Sequence, residues 1–342
     1  MGVQSVITRV ITVAGGRFAP GHLGELTQLV PFEMVDEALT QTRTVQSRVR
    51  ALPSRVVAYL VLAGCLFPEL GYAGVRAKLT ADLSGLPVAA PTAGALAQAR
   101  RRAGAAPLRW LFDLLRGPAA VPGGRGTWWR GLLVCAIDGT TLTVPDSPAN
   151  LTRFTRGGGS RGGNGYPQAR LLALVACGTR TVIDAVCGPT ASGETTYAAG
   201  LPRSLRQGMI VLAGRHLAAA GLIAAIAATR ADVLVRVKNG RKLPALRRYR
   251  DGPYLSRPGA TEVRVIEAQT TIATSAGRRT GIYRLATTLL DPRACPAAEL
   301  IRLYHQRREI ETACLELKST IPGGRVLRAR TPPGSTRRST PC

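Results

Sequence analysis

The stretch LLVCAIDGTT, residues 132–141, decides the reading of this chain. Six apolar residues in a row, 132–137, are of strand length and end on Asp138 and Gly139. Such a run reads as a strand, and with Gly139 following Asp138 it puts the carboxylate at the open end of a sheet, where α/β folds build their sites. Four further runs of the same kind follow at 171–176, 181–186, 209–213 and 233–237. A helix is expected over 194–206, and an Ala-rich one over 217–228, so that three consecutive strands are followed by helix, strand, helix, strand. The fold class is α/β with a mixed sheet.

That order of elements is the order of an RNase H-like sheet. Upstream of it, GPAAVPGGRG from Gly117 to Gly126 is a Pro/Gly linker, placed at 118–127. Before the linker, apolar residues recur at helical spacing in Leu26, Leu29 and Val30, and again in Val56, Val57, Leu60 and Val61. Pro31, Pro53, Pro68 and Pro91 punctuate these pieces, so 22–117 is an all-helical N-terminal domain behind a flexible terminus, 1–21. The α/β domain takes 128–330 and carries an inserted β-rich segment at about 238–295, read as short strands with turns at Asp251-Gly252 and Pro258-Gly259. Residues 296–318 form one amphipathic helix, and 331–342, rich in Pro, Ser and Arg without an apolar face, form a disordered tail.

Composition narrows the partners. Of 342 residues, 46 are Lys or Arg and 20 are Asp or Glu, a formal charge of +26 on a chain whose mean hydropathy of +0.07 is that of a globular protein. A surplus of this size favours a polyanion, because each basic group that neutralises a phosphate releases condensed counterions. Nucleic acid leads. Seven cysteines without a C-x-x-C pair argue for reduced thiols rather than a disulfide framework or a zinc knuckle. No signal peptide opens the chain, and its longest apolar stretch, 217–228, is too short to span a bilayer, so no membrane is involved and a cytoplasmic location is expected. The glycine loop RFTRGGGSRGGNG, 153–165, lacks the Lys-Ser/Thr ending of a phosphate-binding loop and reads either as a basic loop near DNA or as a solvated one.

Thirteen acidic residues lie beyond position 130, few enough to weigh singly. Asp138 is the candidate for chemistry, with a turn cap as the plain alternative. Asp146 reads as a turn residue, Asp184 as a surface charge on an edge strand, and Glu194 as a first-turn acid facing the helix dipole. In LYHQRREIETACLELK, the intervals between Tyr304, Arg307, Glu311 and Lys318 put four functional side chains on roughly one helical face, although a solvated face of ion pairs would look the same.

The pattern Tyr-x2-Arg-x3-Glu-x6-Lys at 304–318 resembles the signature of the DDE transposases of the insertion element four family, and Asp138-Gly139-Thr140 lies where that family has its first catalytic aspartate. The segment from His22 to about Pro118, including LGELTQLVPFEMVDEAL, also looks like that family's N-terminal domain. The resemblance covers roughly 22–332. It implies an RNase H-like catalytic domain in which two aspartates and a glutamate hold two divalent ions, Mg²⁺ or Mn²⁺, for phosphodiester cleavage and strand transfer. By the same resemblance Asp138 and Glu311 are metal ligands, and Tyr304, Arg307 and Lys318 contact phosphates of the transposon end. The implied partners are double-stranded DNA, as inverted-repeat ends and target, and a second copy of the chain in a synaptic complex at the nucleoid.

Two departures qualify that expectation. The family's second aspartate ends the fourth strand, and here the text runs Val211, Leu212, Ala213, Gly214, so the second acid position is Gly214. Neither His216 nor Asp232 replaces it: the first reads as a surface residue opening a helix, and the second begins the next strand at the opposite end of the sheet. Metal binding is expected to be weakened and catalysis crippled. After Pro332 the text also changes character, as in a C-terminally truncated or frame-shifted member. The alternatives are a non-catalytic DNA-binding protein that represses its parent element, or an inactive pseudogene product.

Overall fold

The structure is a computed structural model, and it describes residues 23–48, 52–67, 69–81, 90–117, 127–156, 165–274, 277–307, 326–327 and 330. The chain divides into two compact units, Met1–Leu115 with Ser319–Cys342, and Arg116–Lys318.

In the first unit the helices are α1 (Leu23–Leu29), α2 (Phe32–Gln41), α3 (Ser54–Leu66), α4 (Tyr72–Leu79), α5 (Ala93–Ala103) and α6 (Ala106–Leu115). Pro31 and Pro53 stand immediately before α2 and α3, where a missing N–H removes no helical bond. Thr92 caps α5 by accepting from the Ala95 N–H at 3.2 Å. The centre is α3, whose Val57, Ala58, Tyr59, Leu60 and Ala63 are all buried. Tyr59 donates its buried hydroxyl to the Val30 carbonyl at 2.5 Å, and burial pushes its phenol up to about 12.

The second unit contains β1 (Trp128–Trp129), β2 (Leu132–Thr143), α7 (Pro148–Leu151), β3 (Gln168–Ala176), β4 (Thr181–Pro189), α8 (Glu194–Ala198), β5 (Met209–Ala213), α9 (Ala220–Ala228) and β6 (Asp232–Val237). It continues through β7 (Arg247–Arg248), β8 (Tyr254–Ser256), β9 (Val263–Thr274), β10 (Gly277–Thr287) and α10 (Ala297–His305). The strands make one sheet in the order β4-β3-β2-β5-β6-β10-β9-β8-β7, with β1 paired to β2. Only β2–β5 and β5–β6 are parallel, so the sheet is mixed. Every residue of β5 is buried, as expected of a central parallel strand with both faces covered.

Alternation along β2 sorts two apolar layers. Leu133, Cys135 and Ile137 pack with Val211, Val233 and the α9 residues Leu222, Ile223 and Ile226. Val134 and Ala136 share the other layer with Ile210, Leu212, Leu234 and the α10 residues Leu300 and Leu303.

Four expectations are corrected. Asp138 does not end the first strand: β2 runs on to Thr143, and its pairing with β3 continues to Gln168. The helix foreseen over 194–206 is α8 followed by a separate 3-10 turn, Pro202–Ser204, because Gly200 and Pro202 break it. The strands foreseen as short in 241–290 include a hairpin of 12 and 11 residues, β9 and β10, and β10 pairs with β6, so this segment continues the main sheet. Asp184 is not a surface charge. It lies on edge strand β4 and is nevertheless fully buried. The terminus 1–21, most of the linker, residues 157–164 of the glycine loop, and the tail 331–342 lie outside the described residues.

Candidate functional site

Ile137 of β2 pairs with Ala213 of β5 in parallel register, so Asp138 and Gly214 follow as neighbours one residue beyond the paired segment. Asp138 has the parity of Val134 and Ala136, and therefore faces the layer that α10 covers. Buried Leu300 and Leu303 anchor α10 on that layer, which brings the end of the helix over the end of β5 and the middle of β2. Tyr304 donates its hydroxyl to the Ala213 carbonyl at 3.2 Å. Three residues on, Arg307 places an Nη 3.1 Å from Asp138 Oδ1, in an ion pair whose side chains are 19% and 26% exposed.

The space beside Gly214 is where Arg307 lies. A Cβ built on Gly214 would stand 3.1 Å from the Arg307 Nη and 3.4 Å from its Cζ. Gly214 itself is extended, with φ −78° and ψ 168°, so its backbone would accept any residue and the room matters more than the torsion. Tyr283 of β10 completes the surroundings, with its ring 6.4 Å from that of Tyr304 and its phenol raised by burial despite Arg236 over its face.

Four sequence candidates, Asp138, Gly214, Tyr304 and Arg307, thus meet at one place. Glu311 and Lys318 lie outside the described residues. His216 is exposed in the 3-10 turn Arg215–Leu217. Asp232 begins β6 at the far end of the sheet, accepts from the Thr288 hydroxyl at 2.9 Å, and has its carboxyl raised by burial.

Sequence reading missed two buried charges. Asp184 accepts from Arg203 through two nitrogens at 2.8 Å, from Ser204 Oγ at 2.7 Å and from the Ala185 N–H at 2.7 Å, and it lies 3.2 Å from Arg116. Burial works against its charge, but these donors outweigh it and hold the carboxyl below the usual range. Arg264 of β9 is fully buried and donates to the Cys295 carbonyl, and burial lowers its guanidinium. Neither had a local signal: Asp184 sits on an edge strand far in sequence from Arg203 and Ser204, and Arg264 is one of several polar residues in a strand that also carries Glu267, Gln269 and Thr270.

The insertion element 4 transposase N-terminal family matches residues 20–113, and the transposase DDE domain matches 129–339. This chain belongs to the DDE transposases of the insertion element four family. InsZ of Escherichia coli K12 is 30% identical over 185 residues, which are 54% of this chain and 60% of that protein. The transposase InsG for insertion sequence element IS4, of the same organism, is 25% identical over 321 residues, 88% of this chain and 70% of that one. The chain thus spans 60% and 70% of the lengths of these two curated relatives. A cryo-EM structure of a piggyBac transposase synaptic complex with hairpin DNA aligns with a TM-score of 0.41 at 12% identity, over 91% of this chain and 61% of that one.

Membership implies divalent-metal dependence for the family's chemistry. The described donors at this site do not fit that requirement: Asp138 already carries a guanidinium, position 214 adds no ligand, and no group of three or more His, Cys, Asp or Glu among the described residues could hold a metal ion. What the described arrangement offers is one carboxylate and one guanidinium fork suited to planar recognition of a phosphate. Among the described residues no helix is long and apolar enough to cross a membrane.

Proposed function

We propose that this chain binds the ends of its insertion element as double-stranded DNA, and that its strand-cutting chemistry is crippled. The observation that carries this reading is the juxtaposition of Asp138, in the middle of β2, and Gly214, just past the end of parallel β5, beneath Tyr304 and Arg307. Phosphates of the end are met by Tyr304, Arg307 and Lys318, contacts that position the duplex more than they read its sequence. The surplus of +26 supplies the long-range attraction. Glu311 and Asp138 are the acids this reading assigns to metal. Mg²⁺ is the ion that such carboxylate oxygens select, with Mn²⁺ as substitute, and Gly214 weakens its hold. In this account the helical segment 22–117 and the α/β segment 128–330 are separate domains, and two copies pair ends in a synaptic complex at the nucleoid.

A mobility-shift titration across a salt series tests the binding half. An end-containing duplex should outcompete a scrambled one, and Arg307→Ala should reduce the slope of log affinity against log salt by about 1. Equal binding of both duplexes would refute end recognition. The second reading, a repressor of the parent element that never cuts, is favoured by the Asp138–Arg307 pair, and it predicts the same binding with no cleavage product under any divalent ion.

A further inference from the structure

The side chain at the Asp138 site that the proposed function sends to DNA is, in this structure, engaged elsewhere. Arg307 reaches Asp138 at 3.1 Å and lies against the space that a side chain at 214 would enter, since a Cβ there comes within 3.1 Å of its Nη. Tyr304, near the end of α10, is fastened to the last carbonyl of β5, and the Arg307 N–H donates to the Tyr304 carbonyl at 3.2 Å, so the turn holding Arg307 is anchored beside Asp138 and the end of β5.

We propose that Arg307 is the resident cation of this site. It occupies the position beside Asp138 that Gly214 leaves open, so that a divalent ion and the guanidinium compete for one carboxylate. Gly214 then has two effects. It removes an acidic ligand, and it makes the space in which an internal positive charge neutralises the remaining one. Arg307 can serve Asp138 or a DNA phosphate, and a bound phosphate that draws the guanidinium away releases the carboxylate from this ion pair. Access of an ion to Asp138 is therefore coupled to occupancy by DNA. This inference rests on the assignment of the site made under the proposed function, and it goes beyond it by naming what blocks the ion.

The test is divalent-ion binding to the DNA-free full chain, read by Mn²⁺ electron paramagnetic resonance and titration calorimetry, with no cleavage involved. Arg307→Ala should tighten Mn²⁺ binding by about tenfold or more, since it removes a unit positive charge ~4 Å from the ion's position. Gly214→Ala supplies no ligand, but its Cβ at 3.1 Å from the Nη makes the guanidinium give by a few tenths of an ångström, so it should tighten Mn²⁺ binding in the same direction by a smaller factor. Adding Asp138→Asn to either variant should abolish the gain. A short end-containing duplex, added to the wild-type chain, should tighten Mn²⁺ binding beyond what the same duplex does for Asp138→Asn. If Mn²⁺ binding is unchanged or weaker in both Arg307→Ala and Gly214→Ala, with far-UV circular dichroism and melting like wild type, the resident-cation account is wrong. Should Arg307→Ala fail to fold, Gly214→Ala decides alone. Failure of the wild-type chain to prefer the end duplex in the mobility shift would overturn the end-binding reading and leave the DNA-free result standing, so the two failures are distinguishable.

Discussion

Asp184→Ala should destabilise the α/β unit substantially while leaving the Asp138 site intact. The carboxylate is wholly buried and accepts from two nitrogens of Arg203, from Ser204 and from the Ala185 N–H, with Arg116 3.2 Å away. Breaking a buried ion pair by removing one partner typically loses about 3–5 kcal/mol, chiefly because the other charge is left without compensation. Here the abandoned partners have somewhere to go: the Arg203 side chain is 46% exposed and that of Arg116 22%, so both can turn toward water. That places the expected loss at or just below the lower bound of that range, about 2–3 kcal/mol. Urea unfolding followed by the emission of Trp128 and Trp129, in a Trp110→Phe background, measures it as a shift of midpoint at constant slope. The acid dependence supplies an independent check. The folded-state carboxyl lies below its ordinary value, so its contribution is fully present above the unfolded value of about 3.9 and is lost as pH falls through the folded value. The gap between wild type and variant should therefore be constant near neutrality and narrow below about pH 4. A loss under about 0.5 kcal/mol at pH 7, the size of an exposed pair, would refute the reasoning.

Two further perturbations probe the sheet. Gly188→Ala puts a Cβ 2.4 Å from the Tyr197 hydroxyl and 2.8 Å from its ring, against a side chain already fastened to the Pro189 carbonyl at 2.7 Å, so it should lower stability by about 1–3 kcal/mol in the same unfolding assay. Arg264→Met should be neutral or stabilising by about 1 kcal/mol, because burial penalises a guanidinium whose Nε and one Nη find no hydrogen-bond partner in the structure; a loss of more than about 2 kcal/mol would show that Arg264 is compensated in a way its surroundings do not reveal.

How far the sequence speaks depends on what each element is asked to reveal. The strands β2, β5 and β6 were legible because parallel core strands are apolar on both faces, and a continuous apolar run needs no partner to be recognised. Gly214 was legible as a departure, because the strand that precedes it is unmistakable. What position 214 contains in space was not. Arg307 and Gly214 are brought together by the packing of Leu300 and Leu303 on a sheet built far earlier in the chain, and no local pattern encodes that approach. Asp184 failed for a related reason. A charge on an edge strand is normally solvated, and only the fold shows that the turn carrying Arg203 and Ser204 closes over it. The long β9–β10 hairpin was underestimated because Thr270, Thr271, Arg278, Arg279 and Thr280 interrupt the apolar alternation that a half-buried strand would keep.

The central claim is that a carboxylate and a guanidinium stand where the family's chemistry asks for clustered acids. Incubating the purified chain with Mg²⁺ or Mn²⁺ and a labelled end-containing duplex tests it most directly. The account predicts a retarded complex and no nicking above the level of Asp138→Ala. Robust nicking by the wild-type chain that Asp138→Ala abolishes would contradict it, since it would mean that the loss of the acid at Gly214 is tolerated.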